Sequence, residues 1–287
     1  MLSIIRIMAI ITLTTDFGVK DYFVSSIKGA ILKELSDVTI VDISHHVSPY
    51  DISEAAYIIR NSYDEFPTGT IHIIGVNSLS TPDQRPICAR INGHYFICSD
   101  NGILSLICQN HQPEEIFEIT INPESLDSLF PEKTTFVPVA CHIARGGLPT
   151  LVGQKRKKIK ILNELKPNYR DEKIITGYVI YIDRFGNVIT NITRKYFEEI
   201  ANGRKFKIVL RQKDFSLTDV DIIFDHYHEI VQDFSKETQA LARTLCLFNS
   251  AGFLEVTLYK SNPDITGAAN QLMGLKKGDT VTIEFEN

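Results

Sequence analysis

Two short stretches of this 287-residue chain carry residue types that can grip a small charged ligand. The first is TTDFGVKDYF, in which Asp16 ends an apolar, β-branched run and Asp21 follows it. An ionised carboxylate is an acceptor-only group with several lone pairs, suited to a vicinal diol or an ammonium group. The same two residues suit the cap and first turn of a following helix equally well. The second stretch is YIDRFGNVITNI, where Asp183, Phe185 and Asn187 alternate. An aromatic face can stack on a purine while an Asn amide offers the base edge a donor and an acceptor. Taken alone, Phe-Gly-Asn is also an ordinary turn between strands.

Other chemistries find less support. His45-His46 and His226-Tyr227-His228 are not joined by a Cys, His or carboxylate set at metal-binding spacing, so they read as satisfied or surface histidines and no metal is expected. Neither common Gly-rich phosphate loop occurs, and there is no GxSxG elbow of a serine hydrolase. A net charge of -5 gives no general attraction for nucleic acid or anionic lipid. The five cysteines form no CxxC pair and sit in apolar surroundings, as buried thiols of a reducing cytoplasm would. The apolar opening MLSIIRIMAIITLTT lacks a basic n-region and a cleavage site, which favours a buried strand over a signal peptide. No stretch is long and apolar enough for a membrane span.

The elements that would position these residues follow from the pattern. Hydrophobic residues make up 44% of the chain and charged residues 23%, a globular balance. In the first half, strand-like runs at 10–14, 39–43, 71–76 and 94–98 alternate with helical spacing at 22–35, 52–61 and 137–145. Such alternation predicts an α/β domain, residues 1–165, with a mostly parallel sheet, flanking helices and ligands at the strands' carboxyl ends. ELKPNYRDEK, at 164–173, breaks the pattern and reads as a linker. Residues 174–287 then hold β-rich runs at 177–182, 205–210, 244–248, 254–259 and 280–285, which predict an all-β, antiparallel, barrel-like second domain. The basic run at 154–160 reads as a solvated sheet edge or turn.

These stretches, together with VDISHHVSPYDISEAAYII, FPTGTIHIIGV, SDNGILS and LFNSAGFLEV, occur in an order and spacing that resemble the S-adenosylmethionine hydroxide adenosyltransferase family, whose relatives include fluorinating and chlorinating enzymes. The resemblance runs from Ile10 to the C-terminus. It implies an α/β N-terminal domain, a β-rich C-terminal domain and a homotrimer with sites between neighbouring subunits. It further implies that Asp16 holds the ribose hydroxyls, that Asp21 and Asp183 flank the methionine ammonium, and that Phe185 and Asn187 face adenine. Ser250 would contact the methionine carboxylate, Tyr50 would wall the ribose, and Tyr227 would complete the adenine sandwich. Substrate and products would be S-adenosylmethionine, adenosine and methionine, in the cytoplasm and without a cofactor.

The nucleophile end departs from the family pattern. Where water-using members carry a VDPGVG-type loop followed by two Arg, this chain has VNSLSTPDQRP, so Asn77 stands at the Asp position and Gln84 at the first Arg, while Arg85 keeps the second. A later FHGRD-type segment is matched by FPEKT, which puts Pro131 at the His position with Glu132 beside it. Asn is no carboxylate base, Gln lacks charge and fork geometry, and Pro has no titratable group. Ser80 matches a hydroxyl position in halogenating relatives. Asn77, Ser80 and Gln84 are therefore the candidate catalytic positions. Hydrolysis of S-adenosylmethionine is the leading expectation, with a halide-using variant and a non-catalytic binder of the same ligand as alternatives.

Overall fold

The computed structural model of the chain describes residues 8–109, 111–121, 128–211 and 217–286; the first part of the apolar opening, 1–7, lies outside them. The chain divides at Asn163/Glu164 into two compact units.

In the first unit β1 (Ala9–Thr15), β2 (Val38–Ser44), β3 (Ile71–Gly75), β4 (Pro86–Ile91), β5 (His94–Ser99), β6 (Glu115–Ile119) and β7 (Gly153–Lys155) form one sheet, ordered β2-β1-β3-β5-β4-β6-β7. The β2-β1-β3-β5 half is parallel. β4, β6 and β7 join antiparallel, so the sheet is mixed and not mostly parallel. The cause lies in Asn92-Gly93, which take φ of 49° and 77° and turn β4 back onto β5 with Ile91 opposite His94. Both central residues of such a two-residue turn need positive φ, which Asn and Gly accept. β7 is an edge strand, and the basic run that begins on it places Arg156 3.0 Å from Asp100.

Helices cover both faces. Alternate residues of a strand point to opposite sides: Ile73 packs with α1 (Phe23–Glu34) and α4 (Val137–Ala144), while Ile74 packs with α2 (Ile52–Arg60) and α3 (Ile103–Cys108). The apolar stripe of α1, Val24, Ile27 and Ile31, is buried. Asp51 starts α2 by accepting hydrogen bonds from the Ser53 and Glu54 amides at 3.1 and 3.0 Å, satisfying donors that a first turn leaves open.

The second unit holds β8 (Asn168–Arg170), β9 (Ile174–Ile182), β10 (Val188–Thr193), β11 (Phe206–Arg211), β12 (Leu217–Val220), β13 (Ile223–Phe224), β14 (Thr244–Phe248), β15 (Phe253–Leu258) and β16 (Thr280–Phe285). They form one sheet in the order β12-β11-β16-β9-β10-β15-β14-β13, with β8 added on β9. The stretch read as a linker is thus part of the sheet: Asp171 and Glu172 take φ of 52° and 53°, and β8 folds back on β9. All pairings are antiparallel except β13 with β14. The unit is not all-β, because α5 (Arg194–Ala201) and α6 (Ala269–Met273) interrupt it, and the strand path stays open at β12 and β13. Thr193 caps α5 by accepting from the Tyr196 amide at 3.2 Å, and Phe197 of α5 meets Phe206, Phe248 and Phe285.

All five cysteines are free and buried. Burial pushes the Cys88 thiol up to about 12 and the Cys108 and Cys141 thiols to about 11. Among the described residues, no helix is long and apolar enough to cross a membrane.

Candidate functional site

The order β2-β1-β3 defines where a ligand belongs in the first unit. From β1 the chain crosses to β2 on one side through α1 and returns past β1 to β3 through α2 on the other face. At such a reversal the connections leave the strands in opposite directions and open a crevice at their carboxyl ends, where open α/β sheets bind ligands. Asp16 follows the last residue of β1, and Asn77 stands two residues beyond β3. The structure therefore brings Asp16 and the 77–85 loop to neighbouring strand ends.

Asp16 is anchored from above. Its Oδ2 accepts the Tyr50 backbone N–H at 2.8 Å, with Tyr50 held at φ 65° and its ring 71% exposed. Nearby, the Gly18 amide donates to the His45 carbonyl at 2.7 Å. The His45 ring bonds Thr15 through Nδ1 at 2.8 Å and sits 3.0 Å from Asp42 through Nε2. Those contacts give His45 a structural task in tying β1 to the end of β2. Asp21 is exposed, in the turn before α1.

The 77–85 loop is braced by amides. Asn77 takes φ 48°. Its carbonyl accepts from Gln84 Nε2 at 2.6 Å and from Asn101 Nδ2 at 3.1 Å, and Gln84 also donates to the Leu79 carbonyl at 3.1 Å. Gln84 thus closes the loop on itself. The Ser80 hydroxyl is buried and finds no partner among the described residues, an exception to the rule that buried polar atoms are bonded. Ser78 donates to Glu132, a residue only 1% exposed. Burial, aided by the charge of Asp16, raises the Glu132 carboxyl above its usual range. The sequence had placed Glu132 beside Pro131 and, with Asn77, Ser80 and Gln84, among the residues that could face the ribose C5′; its bond to Ser78 was not visible there.

The remaining expected residues lie in the second unit. Between β9 and β10, Asp183 Oδ1 accepts the amides of Phe185 and Asn187, both at 2.9 Å, and Oδ2 accepts Asn187 Nδ2 at 2.9 Å. Thr257 of β15 donates to Asn187 Oδ1 at 2.5 Å. Asn187 is 7% exposed, whereas Phe185 is 65% exposed, so a buried amide fixes a turn that presents a bare ring. One N–H and one lone pair of that amide remain for a ligand. Gly186 is required here: its φ is 74°, and a Cβ would collide with Ala268. The Tyr227 hydroxyl donates to Glu255 at 2.8 Å. Glu255, 3% exposed, is raised chiefly by burial, and Tyr227 is raised by burial and by Glu255. Asn249 Oδ1 accepts the Ala251 and Phe253 amides at 3.1 Å each, shaping the turn on which Ser250 is exposed. The expected set thus falls into two groups, one on each unit. Sequence reasoning missed Ser78, Thr257 and Glu255, which act from inside to hold the named residues.

The two units, an α/β unit with a strand-reversal crevice and a mostly antiparallel sheet with an exposed aromatic turn, match the two domain models of one family. Residues 11–153 match the SAM hydroxide adenosyltransferase N-terminal domain and residues 177–282 its C-terminal domain. The chain belongs to the SAM hydroxide adenosyltransferase family. It is 28% identical over 290 residues, 97% of each chain, to the (R)-S-adenosyl-L-methionine hydrolase of Methanocaldococcus jannaschii. It is 29% identical to the fluorinase of Nocardia brasiliensis over 70% of this chain and 77% of that one. Among solved structures, an uncharacterized conserved protein from Thermotoga maritima superimposes with a TM-score of 0.79 and 26% identity, covering 96% of this chain and 99% of that one.

Proposed function

We propose that the chain hydrolyses S-adenosylmethionine to adenosine and methionine. The observation that carries this reading is the collinear match of both family domains, supported by a relative named as a hydrolase of that compound along its whole length. The chemistry asks for positioning more than activation. The substrate is a sulfonium, and attack at the ribose C5′ expels a neutral thioether, so the protein must align water with the leaving sulfur and limit competing solvent.

In this reading Asp16, braced by the Tyr50 amide, receives the ribose hydroxyls, and Tyr50 walls the sugar. Asp21 and Asp183 draw the methionine ammonium, while Ser250 meets its carboxylate. Phe185 supplies the stacking face, Asn187 holds that ring in place with its remaining edge toward adenine, and Tyr227 covers the other face. Asn77, Ser80 and Gln84 shape the nucleophile end. The working form is a homotrimer in which neighbouring subunits share each site, and no cofactor takes part.

Purified protein incubated with S-adenosylmethionine should yield adenosine and methionine in equal amounts by chromatography, above a protein-free control. Calorimetric binding with no adenosine would instead identify a non-catalytic binder, and absence of both would reject the reading. The partnerless hydroxyl of Ser80 favours one second possibility, an anion as nucleophile; chloride or fluoride in the assay would then give a 5′-halonucleoside.

A further inference from the structure

Glu132 is a carboxyl in a place where a carboxyl is expensive. It opens a π-type turn, Glu132–Phe136, that runs into α4, and its buried side chain lies against Gly75 and near Thr15, at the ends of β3 and β1. Gly75, the last residue of β3, makes room for it: a Cβ there would lie 2.7 Å from Glu132 Cγ, 3.2 Å from Oε1 and 3.2 Å from Thr15 Cγ2. The Ser78 hydroxyl donates to Oε1, and Ser78 is itself held where Ser99 donates to its carbonyl at 2.5 Å. No cation pairs with Glu132 among the described residues, whereas the other buried carboxyl near these strand ends, Asp100, has Arg156 at 3.0 Å. The ionised group that acts on Glu132 is Asp16, at the end of β1, and its like charge adds to the burial.

A buried acid without a counter-ion is disfavoured unless it is neutral or has a task. The loop facing it supplies no buried rival: Asn77, Ser80 and Gln84 have no titratable group near neutrality, the Gln84 amide is committed to backbone carbonyls, the loop's one carboxylate, Asp83, is exposed, and Arg85 is a cation.

Building on the hydrolytic reading above, we propose that Glu132, oriented by Ser78, accepts the proton of the attacking water. As the water oxygen bonds to C5′, the C5′–S bond breaks and its electron pair leaves with sulfur as the methionine thioether. The water proton passes to the Glu132 carboxylate and then to solvent, which accounts for the positive charge the sulfonium loses. The cationic substrate favours the ionised form of the base on arrival, since an opposite charge nearby stabilises a carboxylate. A carboxyl with proton affinity raised toward neutrality is the better general base.

The test uses the full chain with Glu132→Gln and Ser78→Ala, measuring adenosine formation from about pH 4 to about pH 8, S-adenosylmethionine binding by calorimetry, and thermal midpoint. E132Q should bind within about threefold of wild type, lose kcat by about 100-fold or more, and lose the rising acidic limb of the rate profile. Its thermal midpoint should not fall, because an amide replaces a charge that burial disfavours. S78A should keep binding and lower kcat by about 10-fold, with the limb displaced. E132Q turning over within about threefold of wild type overturns the assignment. So does a wild-type rate that is flat across the acidic range, which decides the matter even if a variant misfolds. Failure of the wider reading looks different: wild-type protein that forms no adenosine.

Discussion

Phe185 and Asn187 stand two positions apart and divide one task between them. The ring is exposed while the amide is buried and bonded on both sides, so substitutions there should separate binding from stability. Phe185→Ala removes a stacking face from a residue that is 65% exposed; it should weaken S-adenosylmethionine binding by about 1–3 kcal/mol in calorimetry and move the thermal midpoint far less than N187A does. Asn187→Ala leaves Asp183 Oδ2 and the Thr257 hydroxyl without their partner, and an orphaned buried polar group costs about 1–3 kcal/mol. Its signature is a lower denaturation midpoint even without ligand. A variant N187A as stable as wild type would show that the turn holds by other means. The turn that carries both residues was legible in the sequence as Phe-Gly-Asn between two apolar, β-branched runs. Their unequal exposure was not, since it depends on Thr257 arriving from β15, 70 residues away.

At the scale of elements, the parallel half of the first sheet was legible in alternating apolar strands and helical stripes, and with it the position of Asp16. The antiparallel half was missed although Asn92-Gly93 announced it; β4 lacks alternation because nearly all of it is buried, and its register is fixed by its neighbours. Glu132 was obscure for a related reason: its partner Ser78 is distant in sequence, and only folding β3 against the turn before α4 joins them. That junction predicts a compensating pair. Gly75→Ala should lower the thermal midpoint, with a cost of about 1–3 kcal/mol for overpacking, while adding Glu132→Gly should restore most of it. Equal losses in single and double variants would disprove the contact.

Strands β1, β3 and β5 also stack a polar seam inside the sheet. Thr12 bonds His72 at 2.7 Å, His72 approaches His94 at 3.3 Å, and burial lowers His72 to about 3. An unfolded His binds its proton near pH 6.5, so between there and about pH 3 the unfolded chain carries a proton that the folded one refuses. Stability must then rise with pH across that window and fall on acidification, by at most about 1.4 kcal/mol per pH unit for one site. Denaturant titrations from pH 7 downward should show a shallower loss for His72→Gln than for the parent chain. The same slope in both would remove His72 from the account.

For the whole molecule, the proposed trimer carries a consequence that sedimentation can examine: a species of three chains in solution, with turnover that declines as dilution separates them. The cysteines offer a view of the same molecule in time. Four of them, Cys88, Cys98, Cys108 and Cys141, belong to the first unit and Cys246 to the second, all shielded from solvent. A maleimide reagent consequently has nothing to modify until a unit opens, and the mass of the adduct identifies which one did. One tag before four would mean that the strand-rich half breathes first, and a jump straight to five would mean that both halves come apart together.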